Sequence, residues 1–305
     1  MKVIAVLILC EVDDPPMIIL PESWEDVVVR LLRMSETHLP EDVSWALEAA
    51  AAWEGGDIAR SQLGAILDNS SKAEFLSRPM CQDTGLPVFY VKGRIPSDIE
   101  ERIEAGVRKA TKLIPLRPNA VDPLSRENSG DNVGSGVLVH YRPMDVPYTE
   151  VTVLPKGAGS ENMSRLAMLT PSDGEDVIKD FVVRTVLQSG GRPCPPTIVG
   201  VGIGGTADAC MALAKEALLM PLDARNPDER LRRMEEELFI KLNSSGLGPM
   251  GLGGDTTVLG VRIKMASCHT ASMPVAVNLN CWAARRATAR MHTDGSVRYT
   301  QGVFE

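Results

Sequence analysis

The sequence predicts a mixed α/β fold of the α+β kind, with a helical N-terminal part packed on a mixed α/β body. Two patterns predict it. From Ser23 to Ser77 apolar residues recur at helical spacing, with no strand-length alternation. Beyond Pro79, short runs rich in Val, Ile and Thr alternate with amphipathic segments bounded by capping residues. With 305 residues, the chain is long enough to bury a sizeable core.

Each element follows from local chemistry. Residues 23–61 read as two helices split at "HLPED", where Pro40 with Glu41 and Asp42 makes a favourable first turn. "DIARSQLGAILDNSSKAEFLS" continues helically. "LPVFYVKGRIP" is a strand, and "SDIEERIEAGVRKATKLI" is an amphipathic helix with Ser97 as its predicted N-cap. "GSGVLVHYRPMD" and "YTEVTVLPKG" are short strands, and "GEDVIKDFVVRTVLQSG" is a helix ending at Gly190. "PPTIVGVGIGG" reads as strand then turn, followed by the helix "TADACMALAKEALL". "NPDERLRRMEEELFIKLNSSG" is a charged surface helix, and "TTVLGVRIKMA" and "MPVAVNLNCW" are strands. No internal repeat or low-complexity tract interrupts the series.

Composition excludes several classes. A net charge of −8 argues against nucleic acid as a partner, and 4% aromatic residues leave no stacking platform for bases. "MKVIAVLILC" superficially resembles a signal peptide, but the apolar run is too short to span a bilayer. Glu11, Asp13 and Asp14 follow it without a cleavage motif. A short buried strand fits it better, with Met17 as an alternative start, and the expected location is cytoplasmic, with no membrane partner.

Six cysteines (Cys10, Cys81, Cys194, Cys210, Cys268 and Cys281) are too few for a disulfide scaffold in a chain of this length, and none forms a CxxC pair. The default for each is a small buried hydrophobe. Context argues the exceptions. Polar, Gly-rich islands interrupt the periodic segments: "CQDTGLP", "PLRPNAVDPLSRENSGDNVGSG", "LPKGAGSENMS", "RPCPPTIVGVGIGGTADAC" and "GLGPMGLGGDTT" leading to "NLNCWAARR". Three of these hold a cysteine in a rigid frame. No histidine is placed to activate a thiol nucleophile, so metal ligation suits the cysteines better; thiolates select iron–sulfur clusters, zinc or copper(I). Three thiolates would leave a cubane with one iron lacking a protein sulfur, free to act as a Lewis acid. The prolines around Cys194 would fix its loop. The Gly-rich turn after it would offer N–H groups to sulfides or a carboxylate.

"CQDTG", "LPKGAGSEN", "CPPTIVGVGIGGTAD", "GLGGDTT" and "MPVAVNLNCWAARR", in that order, resemble the α-subunit or N-terminal catalytic domain of the class I iron–sulfur hydro-lyases. These are the oxygen-sensitive fumarases and L(+)-tartrate dehydratases. The resemblance runs from about Pro21 to Gly295, leaving residues 1–16 as an N-terminal extension and 17–305 as one catalytic domain. It implies a [4Fe–4S] cluster on Cys81, Cys194 and Cys281, with Cys268 beside His269 as the alternative third ligand. It also implies that Gln82, Asp83, Arg117 and Gly159 contact substrate and that Asp83 takes part in catalysis. Cys10 and Cys210 are expected to be structural. Ala158 departs from the family's usual "KGGGS".

Single-chain members carry a further C-terminal domain with no counterpart here, so the resemblance implies a separate β-subunit and an α₂β₂ assembly. Charge counting agrees, because Arg117 alone does not neutralise a dicarboxylate substrate. The expected reaction is reversible hydration of fumarate to (S)-malate in the tricarboxylic acid cycle, with L(+)-tartrate dehydration as the alternative. An electron-transfer subunit is the third reading. It predicts a fourth cysteine ligand and a dinucleotide fingerprint, and "GVGIGGTAD" matches such a fingerprint only weakly.

Overall fold

The computed structural model describes residues 23–302 and Phe304. The predicted strand at Met1–Cys10, Cys10 itself and the extension over residues 1–16 lie outside them. Helix α1 (Trp24–Thr37) is capped by Ser23, whose hydroxyl accepts from the Asp26 N–H; α2 (Glu41–Trp53) starts after Pro40, and α3 (Asp57–Leu76) follows. Next come β1 (Leu86–Gly93), α4 (Ile99–Leu113), β2 (Leu138–Pro143), β3 (Tyr148–Lys156) and a single turn, α5 (Ala158–Glu161). The N-cap of α4 is Asp98 rather than the expected Ser97; Asp98 makes no capping bond and instead pairs with Arg102 at 2.6 Å.

The second half runs β4 (Arg165–Leu169), α6 (Gly174–Ser189), β5 (Thr197–Gly204), α7 (Ala207–Ala217), α8 (Glu229–Asn243), β6 (Val258–Ala266), β7 (Met273–Asn280), β8 (Ala287–His292) and β9 (Val297–Thr300). Two sheets result, in the orders β2-β1-β3-β8-β9 and β4-β7-β5-β6. Both are mixed: β1–β2 and β5–β6 pair in parallel and the other neighbours antiparallel.

Three cores hold these layers. Val27, Leu31, Ile103 and Val107 of α1 and α4 bury against Phe89, Val91, Val151 and Val153 of the first sheet. Val182, Val186, Leu238 and Leu242 of α6 and α8 bury against Val199, Val201 and Val277 of the second. A third core, containing Leu47, Leu63 and Trp282, lies under the N-terminal helices, and Cys81 and Cys281 pack against it.

The opposite face of β5 explains "GVGIGG". Period-2 alternation sends Val199, Val201 and Ile203 to the core and Gly200 and Gly202 to α7. A Cβ at Gly202 would lie 2.1 Å from the Cys210 carbonyl oxygen, and one at Gly200 would lie 2.2 Å from that of Ala214. The glycines therefore let a helix lie directly on a strand. The turn at Gly204–Gly205 sits at the far end of β5 from Cys194, about 25 Å away along an extended strand of this length. The expectation that its N–H groups serve the Cys194 site is thereby corrected. Cys210, on α7, is fully buried against β5 as expected, its thiol donating to the Gly202 carbonyl at 3.2 Å.

This packing predicts opposite outcomes for two Gly→Ala changes followed by urea unfolding. Gly202→Ala should destabilise by about 1–3 kcal/mol or more, because the clash is with backbone. At Gly64, inside α3, an added Cβ would meet nothing within 4 Å, so Gly64→Ala should stabilise by about 0.5–1 kcal/mol. A neutral Gly202→Ala would mean that α7 is not seated on β5.

Candidate functional site

Strand register gathers the islands. Leu86 at the start of β1 pairs with Lys156 at the end of β3, which joins "CQDTG" to "KGAGSEN". Ile198 at the start of β5 pairs with Asn280 at the end of β7, which joins "RPCPP" to "NLNCW". The segment Cys281–Arg286 then crosses from the second sheet to the first, bringing both pairs of loops to one edge.

Cys194 sits in the left-handed region at φ 54°, an unfavourable conformation for a side-chain-bearing residue that only a well-braced loop maintains. The bracing is visible. Its N–H donates to the Gly191 carbonyl at 3.0 Å, and its carbonyl accepts from Trp282 N–H at 3.2 Å. Met250 N–H donates to the Pro195 carbonyl at 2.8 Å, so "GLGPMGLGG" backs this loop. That island is in turn clasped by the buried Glu54, whose carboxylate accepts from the N–H groups of Asp255 and Thr256. Its glycines and Asp255 thus have structural work.

Cys81, Cys194 and Cys281 lie within electrostatic reach of one another. Burial, then the Cys281 and Cys81 thiolates and the Asp83 carboxylate, push the Cys194 thiol up. Burial also pushes Cys281 up, opposed by the positive charges of Arg285 and Lys156. Cys194 is exposed and the other two are partly buried. Among the described residues, no group of three His, Cys, Asp or Glu side chains closes around a single ion. A cubane does not ask for that, since each thiolate binds its own iron, so this donor set fits a cluster better than one metal ion. Cys268 is elsewhere: it is exposed between β6 and β7, and its charge acts on Cys210. The ring Nδ1 of His269 accepts from Ala271 N–H at 3.1 Å.

Around the cysteines stand the other expected residues. Asp83 is held at both carboxylate oxygens, Oδ1 accepting from Gly85 N–H at 2.9 Å and Oδ2 from Ala158 N–H at 2.8 Å. Each oxygen keeps a further lone pair for another donor. Thr84 accepts from Arg117 N–H at 3.1 Å, and Asn119 donates to the Gly85 carbonyl at 2.9 Å, so the long 115–136 island is stitched beside Cys81. A surface depression of about 450 Å³ is lined by Cys81, Gln82, Thr84 and Arg117, among others. The Arg117 guanidinium is exposed and has no partner among the described residues. At Gly159 a Cβ would come within 2.9 Å of the Arg192 carbonyl, so its smallness also lets the "KGAG" turn rest on the Cys194 loop.

Four residues here were not singled out from sequence. Lys156 is buried, its Nζ donating to Ser160 Oγ at 2.6 Å and to the Leu279 carbonyl at 2.7 Å. Burial pushes it down to about 8, against the pull of Glu161 and Cys281. Glu161 accepts from Lys215 at 2.6 Å. Arg285 is the largest fully buried side chain, 2.7 Å from Glu36 of α1. A lysine inside the Gly-rich "LPKGAGSEN" and an arginine pair just after Cys281 were the available signals for Lys156 and Arg285. Glu36, on an ordinary-looking helix, offered none.

Burial pushes Glu36 up to about 7 despite Arg285. Between its ordinary value and 7, the folded chain therefore binds a proton that the unfolded chain has released. Stability attributable to Glu36 should fall as pH rises through that window, by up to about 1.4 kcal/mol per pH unit. Glu36→Gln should flatten that part of a urea-midpoint-versus-pH curve. An identical slope in the variant would remove Glu36 as the cause.

Comparison with known proteins gives a consistent picture. Residues 25–290 match the family described as Fumarate hydratase (Fumerase). A Methanocaldococcus jannaschii protein provisionally named L(+)-tartrate dehydratase subunit alpha is 48% identical over 89% of this chain and 99% of its own length. The L(+)-tartrate dehydratase subunit alpha of Escherichia coli K12 is 34% identical, over 88% of this chain and 91% of its own. A Geobacillus stearothermophilus protein provisionally named a class I fumarate hydratase is 38% identical over 87% of this chain but only 54% of its own length. The chain belongs to the fumarate hydratase family.

Proposed function

We propose that this member of the fumarate hydratase family is the α-subunit of a [4Fe–4S]-dependent hydro-lyase that reversibly hydrates fumarate to (S)-malate. The observation that carries the reading is the gathering of Cys81, Cys194 and Cys281 at one edge of the two sheets, beside a depression holding Gln82 and Arg117. The three thiolates would hold the cluster, which when bound supplies an iron acting as a Lewis acid on a substrate oxygen. Arg117 would grip a carboxylate through its planar fork, and Gln82 would orient the substrate by its amide. Asp83, anchored at both oxygens, would accept from a substrate or water proton and assist a base on the partner.

Residues 17–305 would act as one catalytic domain, located in the cytoplasm and serving the tricarboxylic acid cycle. No helix among the described residues is long and apolar enough to cross a membrane. Two relatives, those of Methanocaldococcus jannaschii and Escherichia coli K12, are named as alpha subunits. Those names support a separate β-subunit in an α₂β₂ assembly. A second reading, dehydration of L(+)-tartrate, is favoured by the names of those same two relatives.

Two experiments test this. Anaerobically purified protein should contain a four-iron cluster that oxygen bleaches. Cys281→Ser should lose it while Cys268→Ser keeps it, as read by iron and sulfide content; the reverse pattern would move the third ligand to Cys268. Co-produced with its β-subunit, the chain should show a higher kcat/KM for (S)-malate than for L-tartrate, and the opposite ranking would make tartrate the substrate. In the same assay Asp83→Asn should reduce turnover at least about 100-fold with the cluster retained. Loss of iron along with activity would assign Asp83 to bracing the "KGAG" turn, since an amide leaves one of its two backbone donors without an acceptor.

A further inference from the structure

Arg285 is buried to 1% exposure in the segment that crosses between the sheets. Its Nη1 donates to Glu36 Oε2 at 2.7 Å and its Nη2 to the Asp83 carbonyl at 2.9 Å. Its Nε is buried and has no partner, and Glu36 Oε1 is likewise unpartnered. A single buried ion pair with open valences is a poor stabilising device, because desolvating both charges cancels most of their attraction. Something else must make a permanent cation useful here. The Arg285 guanidinium feels the negative charges of Cys281, Cys81 and Asp83 in addition to Glu36.

We propose that Arg285 is a positioning residue of the three-cysteine site. Its guanidinium ties the Cys81–Asp83 loop to α1, and its charge offsets the thiolates of Cys81 and Cys281, so that they hold a cluster jointly. The inference rests on the cluster reading above. Lys156 is a second cation acting on Cys281, fastened to the Leu279 carbonyl two residues before that ligand. The two cations differ in kind. Arg285 cannot lose its proton at any working pH, whereas Lys156 keeps its charge only by virtue of its anionic neighbours.

Charge near an iron–sulfur cluster sets its reduction potential, and groups that orient ligands typically govern metal retention by about 10–100-fold. A cation favours the reduced, more negative state. Removing it should therefore lower the potential and weaken retention together.

The test uses the full-length chain reconstituted anaerobically with ferrous iron and sulfide at pH 8, where Glu36 is ionised. Iron loss to a soluble chelator and the midpoint potential of the cluster are the readouts. Arg285→Gln should lose iron at least about tenfold faster than wild type and have a lower potential, while Arg285→Lys stays near wild type in both. Wild-type behaviour of Arg285→Gln overturns the proposal. So does an Arg285→Lys that loses iron as fast as Arg285→Gln while its potential stays at the wild-type value, because the charge would then be present and the shape of the side chain would be what matters. If circular dichroism shows that Arg285→Gln does not fold, Glu36→Gln decides: removing the competing anion should raise the potential, and an unchanged or lowered potential rejects the charge role. Failure of the wild-type chain itself to take up a cluster sinks the functional reading and this proposal with it. A loaded wild type makes every variant result bear on Arg285 alone.

Discussion

The crossing from Asn280 to Ala287 joins the two sheets to each other and to the N-terminal helices. In these few residues the chain leaves β7 in the second sheet and enters β8 in the first, and it carries one cysteine and two buried arginines on the way. Arg285 is paired with Glu36 of α1, and Arg286 lies 2.7 Å from both carboxylate oxygens of Asp42 on α2. The helical N-terminal part is thus fastened to the junction between the sheets by two charge-assisted contacts. Removing one partner of such a buried pair costs about 3–5 kcal/mol, because the other charge is stranded. The meeting of the two loop edges at this junction is held by those contacts together with the third core, in which Trp282, Ala283 and Ala284 of the same segment are buried.

The same fastening explains why the two half-buried cysteines belong to the third core while the site stays open. Trp282, Ala283 and Ala284 are buried against Leu47 and Leu63, so the backbone on the C-terminal side of Cys281 is immobilised by packing. Cys81 is reached from the other direction: Met80 N–H donates to the Glu36 carbonyl at 2.9 Å, and the Asp83 carbonyl accepts from Arg285. Of the three, Cys194 alone is exposed, on a loop whose shape is imposed by three prolines and by a Gly-rich segment packed behind it. On the cluster reading proposed above, rigidity on two sides with access on the third would suit the three cysteines, since ligands held by packing keep their spacing while the exposed side stays open to substrate.

Much of this was legible in the sequence, and the exceptions have physical causes. The break at Pro40, the strands β1, β3, β5, β6 and β7 and the helix end at Gly190 follow from local stereochemistry, so pattern reading found them. Strand β4 was missed because "RLAML" is an exposed edge with little alternation, and β8 because "ATARMH" lacks β-branched residues beyond one threonine. Both exist because a neighbouring strand supplies their partners. The strand and the turn after it are legible in "PPTIVGVGIGG", but the turn at Gly204–Gly205 lies at the far end of β5 from Cys194, and a strand's length separates what the sequence places side by side. The pairing of Glu36 with Arg285 spans 249 residues, and nothing local in either segment announces it.

Charge around the site is unevenly matched. The buried cations near the cysteines are already engaged, Arg285 with Glu36, Lys156 with Ser160 and Glu161, and Lys215 with Glu161. In the depression beside Cys81, Arg117 is the one charged side chain among the lining residues. A dicarboxylate held there would keep one carboxylate matched and the other without a cation on this face. Water could solvate that second group, but a solvated carboxylate is neither fixed nor shielded, and orientation of both ends is what places the reacting carbons. On the reading proposed here, the exposure of Cys194 and of Arg117 is therefore the mark of an unfinished surface. A partner that closes it should bring at least one cation, and an acidic chain of net charge −8 would help to draw such a basic surface in.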